Sequence, residues 1–374
     1  MPNDPHVPKP PLSERPPSPS KSSSKPLPLP VPPLESSTKT PTLPTKLPDI
    51  PGSPDDPDNF PPDGSTCGSG CVISVYQWPL DISIRSFRLL TEGALTSGNL
   101  IVKRSKNPSK GSLSLFFQLT NLEKKDVIIL FSPFDDSGGA SIIISTPQEI
   151  SIWSSLKARI IVELPAINEN DFVDFTSITK NTKVTIGDVG ASGSFHIPKL
   201  DVVTSNADIA VYPLFVTSAS QQLKTSNGHI TGKIRSTAGK MQLTSTNGDI
   251  RLDASGDSIT IDTSNGGVSG EYSCLTKCNF KTSSGKMLIQ RMQAETLLLD
   301  NRNGAIDVQS ISGVKNVVAT TRNAHMILQV YNTTSAPLIL LSNSNSRIEC
   351  TMVNNGWCIN HLLKQKLNNE IFSF

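Results

Sequence analysis

The chain has 374 residues, of which 36% are hydrophobic and 18% charged, with a formal net charge of +2. That length allows roughly two domains. The near-neutral charge excludes a strong electrostatic pull on nucleic acid or an anionic membrane, so no nucleic-acid partner is expected. No run approaches the ~18 consecutive apolar residues of a membrane-spanning helix.

Of the 29 prolines, 21 precede Cys67. Residues 1–66 therefore read as a disordered Pro/Ser-rich tail, too poor in apolar side chains to offset the entropy of ordering a backbone. The start, Met1 to Pro10, has no apolar h-region, so no ordinary signal peptide is expected and the cellular location stays open. Lys25–Pro33 favours the extended polyproline II conformation. Pro30 to Pro33 forms a PxxP that an SH3 or WW groove could read, although a solvated spacer is the simpler reading.

Residues 67–200 alternate short apolar runs with turn clusters. Ile82 and Ile84, Leu113 and Leu115, Ile150 and Ile152, and Val184 and Ile186 follow a period of two. Val127–Phe131, Ile142–Ile144 and Ile160–Val162 are continuous apolar runs, as expected of strands buried on both faces. The segment is predicted all-β, either a separate sandwich or the first irregular rungs of the region that follows.

Residues 201–350 contain a repeat. Thr204–Ile209 recurs as Thr225–Ile230, Ser245–Ile250, Thr263–Val268, Thr282–Met287, Asn301–Ile306, Thr321–Met326 and Asn343–Ile348. The third positions are Asn206, Asn227, Asn247, Asn265, Ser284, Asn303, Asn323 and Asn345, spaced by 18 to 22 residues. Residues three and five places beyond them are apolar, as in Ile250 and Leu252 or Ile306 and Val308, and the residues between are polar. Such a period predicts a right-handed parallel β-solenoid, each strand pairing with its equivalent one turn later at ~4.8 Å. The Asn column forms a structural corner ladder that passes amide hydrogen bonds along the coil. The glycines that follow are expected to supply positive φ at a tight corner.

Residues 351–374 change character. Ile359, Leu362, Leu363, Leu367 and Ile371 share one helical face, so a capping helix is expected there to cover the open end.

The Ser/Thr-Ser/Thr-Asn-Gly-x-Ile-x-Leu unit resembles that of the putative adhesin β-strand-repeat family of bacterial and fungal envelopes, over roughly residues 160–350. The Pro-rich extension is similar to that of fungal members. The resemblance implies a non-enzymatic structural or adhesive module with a surface ligand, protein or glycan. It carries no catalytic residues to this chain. The alternatives are an intracellular scaffold that recruits SH3 or WW domains through the tail, and a polysaccharide-active β-helix enzyme.

The enzymatic alternative needs carboxylates converging on one face. Asp253, Asp262, Glu271, Glu295 and Asp300 instead scatter over several positions, and no phosphate loop or nucleophile elbow is present. No enzyme and no cofactor are expected. The six cysteines include Cys67/Cys71 and Cys274/Cys278, whose spacing is not that of a zinc site. Along an extended strand Cys274 and Cys278 are ~13 Å apart, too far for a disulfide, whereas a turn at Thr276-Lys277 permits one. Two residues beyond the corner Asn, successive turns place Asp208, His229 and Asp249 one above another. That column is either a solvated ladder or a candidate metal-binding, pH-sensitive corner, with His229 between two carboxylates.

Overall fold

The computed structural model describes residues 71–363 except 82, 94–96, 108–109, 123–125, 133–138, 150–153, 166–172, 188–194, 218–219, 237–238, 332–336 and 355–356. The Pro-rich tail, its Pro30–Pro33 motif and Cys67 lie outside the described residues. Within them there is no α-helix, and 25 strands join one hydrogen-bonded network.

The network is a β-solenoid of two parallel ladders. One runs through β2 (Ser86–Glu92), β8 (Asp174–Ile178), β11 (Leu200–Val203), β13 (Ser220–Thr225) and β15 (Lys240–Ser245). It continues through the second halves of β16 (Ile250–Thr263) and β17 (Val268–Thr282) to β19 (Thr296–Asn301), β21 (Asn316–Thr321) and β23 (Leu338–Asn343). The other runs through β3 (Ser97–Arg104), β9 (Thr182–Ile186), β12 (Ile209–Val216) and β14 (Ile230–Ser236). It continues through the first halves of β16 and β17 to β18 (Met287–Gln293), β20 (Ile306–Ser312), β22 (Met326–Tyr331) and β24 (Ile348–Asn354).

The register is the one the repeat requires. Ile209, Ile230, Ile250, Val268, Met287, Ile306, Met326 and Ile348 are paired in succession and all are buried. Leu223, Leu243, Ile261, Phe280, Leu299 and Ala319 form the matching buried column on the other ladder. Period-two alternation thus places one apolar side chain per strand directly over its equivalent, and the columns merge into a single core.

The middle segment belongs to the same coil. β6 (Ala140–Ser145) pairs in parallel with β2, and β7 (Ser155–Leu164) with β3. Chain order and spatial order part here: β2 lies between β6 and β8, and β3 between β7 and β9. Antiparallel strands then cover this end. β5 (Ile128–Ser132) pairs with β6, β4 (Lys110–Thr120) with β7, and β1 (Cys71–Asp81) with β4. An antiparallel neighbour satisfies the outer edge of a parallel ladder while breaking the repeat.

At the other end the described residues of the expected capping helix are strand instead. Residues 357–363 form β25 (Trp357–Leu363), antiparallel to β24 from Asn354↔Trp357 to Ile348↔Leu363. The unpaired N–H and C=O groups along the edge of β24 outweigh the helical spacing of the apolar residues, because a strand answers that whole row of groups and a helix does not. Residues 364–374 lie outside the described residues.

The cysteine pair shows how the coil absorbs an insertion. Opposite Gly256 and Ser258 of β16 stand Cys274 and Lys277 of β17, so the latter strand bulges at Leu275 and Thr276. Cys274 and Cys278 form a disulfide across the base of the bulge, with Cα atoms 5.8 Å apart. Leu275 is left exposed at the tip.

Candidate functional site

The corner between the two ladders carries most of the hydrogen-bonding chemistry, and three columns of side chains build it. The outermost is the amide ladder. The Asn206 Nδ2 donates to Asn181 Oδ1 at 2.7 Å, Asn227 to Asn206 at 2.7 Å, Asn247 to Asn227 at 2.6 Å and Asn265 to Asn247 at 2.7 Å. After Ser284 the series resumes, Asn323 donating to Asn303 at 2.7 Å and Asn345 to Asn323 at 2.6 Å. Inside each run, at Asn206, Asn227, Asn247 and Asn323, the amide gives one hydrogen to the rung before and receives one from the rung after.

Asn181 is a member that sequence reasoning missed. It sits in Thr179-Lys180-Asn181-Thr182-Lys183-Val184, a copy of the repeat displaced to a spacing of 25 residues by the segment before β11. The signal was the Thr-x-Asn-x-x-Val pattern, hidden by the irregular period.

The second column lies inward, two residues before each Asn. Thr225, Ser245, Thr263, Thr282, Asn301 and Thr321 are buried. Each of the first five accepts the N–H of the glycine three residues on: Thr225 Oγ1 from Gly228 at 3.1 Å, Ser245 Oγ from Gly248 at 3.0 Å, Asn301 Oδ1 from Gly304 at 2.9 Å, with Thr263 and Thr282 accepting from Gly266 and Gly285 alike. The same side chains donate back one rung: Ser245 Oγ to Gly228 O at 3.0 Å, Thr282 Oγ1 to Gly266 O at 3.1 Å, and Asn301 Nδ2 to Gly285 O at 2.8 Å. A buried hydroxyl with both roles filled leaves no desolvated polar atom unpaired.

This arrangement corrects the expected reason for the corner glycines. None of Gly228, Gly248, Gly266, Gly285 or Gly304 has positive φ. What they require is close approach: a Cβ on Gly248 would stand 1.9 Å from the Gly228 carbonyl oxygen. Between these glycine rungs the hydroxyl-to-carbonyl bond draws the corners together until no side chain fits, whereas Ala324 and Ser346 stand at the same position on the last rungs.

The third column holds the candidate metal residues. Asp208, His229 and Asp249 stand on successive rungs, but each side chain accepts a backbone N–H from the rung above. Asp208 Oδ1 accepts from His229 at 2.7 Å, His229 Nδ1 from Asp249 at 2.9 Å, and Asp249 Oδ1 from Gly267 at 2.8 Å. With Nδ1 as acceptor, His229 carries its hydrogen on Nε2. Among the described residues no group of three His, Cys, Asp or Glu side chains is arranged to hold a metal ion. The column is therefore a side-chain-to-backbone ladder.

Partial burial opposes ionisation of Asp249. The Gly267 N–H, the Arg251 guanidinium and the nearby His229 outweigh it and hold the carboxyl below its ordinary value. A carboxylate whose pKa falls on folding stabilises the fold above its unfolded value of ~3.9, and that contribution is lost as pH drops through the folded value. Asp249→Asn keeps an acceptor for Gly267 but removes the titration. We expect the variant to melt somewhat below the parent near neutral pH and to converge with it as pH falls from about 5 to 2. Parallel acid profiles would detach Asp249 from the ladder.

Three of the scattered carboxylates are paired across rungs. Asp253 lies 3.9 Å from Lys233, Glu271 3.3 Å from Arg291, and Glu295 pairs with Lys315. These are exposed pairs of small energetic weight.

No family model matches the chain, and no curated protein matches it. Among solved structures, it is similar to a putative adhesin from Bacteroides fragilis, with a TM-score of 0.36 and 10% identity, over 74% of this chain and 98% of that one. It is also similar to a putative adhesin from Parabacteroides distasonis, with a TM-score of 0.31 and 13% identity, over 74% of this chain and 97% of that one. A putative lipid binding protein from Parabacteroides distasonis gives a TM-score of 0.29 and 14% identity, over 75% of this chain and 97% of that one.

Proposed function

We propose that the protein is a non-enzymatic structural or adhesive module, in which the β-solenoid acts as a rigid support for columns of outward side chains. The observation that carries this reading is the rung register. From Ile209 to Ile348 one buried column is unbroken, so each outward position recurs at the inter-strand spacing with little freedom to shift. A fixed array of this kind suits contact with an extended or repetitive surface. A single convergent pocket would need its side chains to point toward one another.

The full chain coupled to inert beads tests it. The beads are offered to films of neutral glucan, polygalacturonate and collagen under shear, and the solution is assayed for new reducing ends. Retention on at least one film without bond cleavage is the expected result. Release of reducing ends, or no retention on any film, would overturn the reading.

A further inference from the structure

The third corner column changes chemistry at Gly267. On the rungs before it, the N–H groups of His229, Asp249 and Gly267 are received by Asp208, His229 and Asp249. Beyond it the column reads Gly267, Lys286, Ala305, His325, Arg347. Glycine and alanine carry no acceptor, and an ammonium group is a donor only. Among the described residues, the equivalent N–H groups of Lys286, Ala305 and His325 accordingly have no acceptor. Backbone donors at three successive rungs thus face outward along the part of the corner where the column becomes cationic. The surface is recessed at the changeover, in an open notch of ≈ 400 Å³ lined by Asn265, Gly267, Ser269 and Lys286 among others.

A second observation points the same way. In the column just before the Asn ladder, Lys180 stands on the first rung and Ser205, Ser226, Thr246, Ser264, Ser283 and Ser344 on later ones, but two adjacent rungs carry Arg302 and Arg322. The Arg322 N–H donates to the Arg302 carbonyl at 3.0 Å, so the two residues stack directly. Both side chains are exposed, and among the described residues neither makes an ion pair. Asp307 lies 3.9 Å from Lys286, and Glu349 pairs with Arg347. Stacked like charges without a counter-ion are unfavourable. Serine at this position would remove that repulsion.

We propose that this corner, formed by Lys286, Arg302, Arg322, His325 and Arg347, binds an acidic polysaccharide through about one carboxylate per rung. The proposal rests on the adhesive reading and names its ligand class. The protein itself shows the binding mode: the Asp249 carboxylate receives the Gly267 N–H while pairing with Arg251. A sugar carboxylate set one rung higher receives the Lys286 N–H in the same way and meets the Lys286 ammonium. Carboxylates further along receive the N–H groups of Ala305 and His325 and pair with Arg302 and Arg322, as charge-assisted hydrogen bonds. Spacing favours a polysaccharide over an acidic peptide. A polysaccharide laid along the corner advances by about one pyranose unit per ~4.8 Å rung, so its carboxylates stay in step with the rungs, whereas an extended peptide advances ~3.3–3.4 Å per residue and falls out of step.

The test uses the full chain, with polygalacturonate, its fully methyl-esterified form and poly-L-glutamate as probes, measured by calorimetry at low and moderate salt. Polygalacturonate should bind with an affinity that falls as salt rises, and the ester should not bind. Arg302→Ser with Arg322→Ser places at both rungs the residue found on their neighbours. It should leave the melting temperature unchanged or slightly raised and weaken binding roughly tenfold to a hundredfold. Ala305→Asp supplies the His325 N–H with an internal acceptor and should also reduce binding while the coil stays folded. Equal binding of the ester, an unchanged affinity in the double variant, or tighter binding of poly-L-glutamate would overturn the proposal. If polygalacturonate fails while the beads still hold to neutral glucan or collagen, this inference falls and the adhesive reading stands. If nothing is retained, both fall.

Discussion

Gly248→Ala should be among the most damaging single-methyl changes in the molecule. The new Cβ would lie 1.9 Å from the Gly228 carbonyl oxygen, a backbone atom with no rotamer to relieve the contact. The corner can yield only by separating two rungs, which breaks the bonds from Ser245 Oγ to Gly228 O at 3.0 Å and from Asn247 N–H to Ser226 O at 2.8 Å. Overpacking together with two disrupted hydrogen bonds should cost about 3 kcal/mol or more. Gly256→Ala is the control. Its Cβ would meet only the Ser236 Cβ, at 3.3 Å, without positive φ, and reduced freedom of the unfolded chain offsets part of that crowding. Urea melts should therefore separate the two variants clearly. Similar midpoints would mean that the corners do not touch as described.

Ile250→Asp should be as severe for a different reason. Ile250 is fully buried between Ile230 and Val268 on the adjoining rungs. The substitution removes packing on both sides and places a carboxylate where no donor is at hand, a loss of about 5 kcal/mol or more. Arg251, one residue on, points outward with its side chain 64% exposed and pairs with Asp249. Arg251→Asp should cost about 1 kcal/mol or less. Thermal melts of the pair test the register directly, since a shift of one residue exchanges the two outcomes.

Much of this architecture was legible because the repeat constrains it twice. The apolar positions at Ile250 and Leu252 state which face is inside, and the return of the same pattern at Val268, Met287 and Ile306 states which strand lies next to which. The corner was legible only in part. The Asn column could be read from spacing, but the reason for the glycines could not: positive φ and close approach favour the same residue, and only the position of the neighbouring carbonyl distinguishes them. The column of Asp208, His229 and Asp249 was correctly stacked on paper, yet composition alone could not show that backbone N–H groups would take its acceptors. The ends were least legible. The strand β25 depends on an open edge at β24, and the place of β2 between β6 and β8 depends on pairings between segments about fifty and about ninety residues apart, which no local pattern encodes.

That place of β2 has a consequence for the order of assembly. From β8 onward each added turn needs about twenty further residues and lies against the turn just completed, so growth can follow the emerging chain in the manner of a one-dimensional zipper. The turn built from β2 and β3 is different. One of its neighbours, β6 with β7, is synthesised after it, and the other, β8 with β9, later still. Until residue 145 has emerged β2 has no complete parallel partner, and until residue 164 β3 has none, so loops of about fifty residues must close before they gain one. The first committed step of folding is then the closure of this threaded start. Everything after it is propagation.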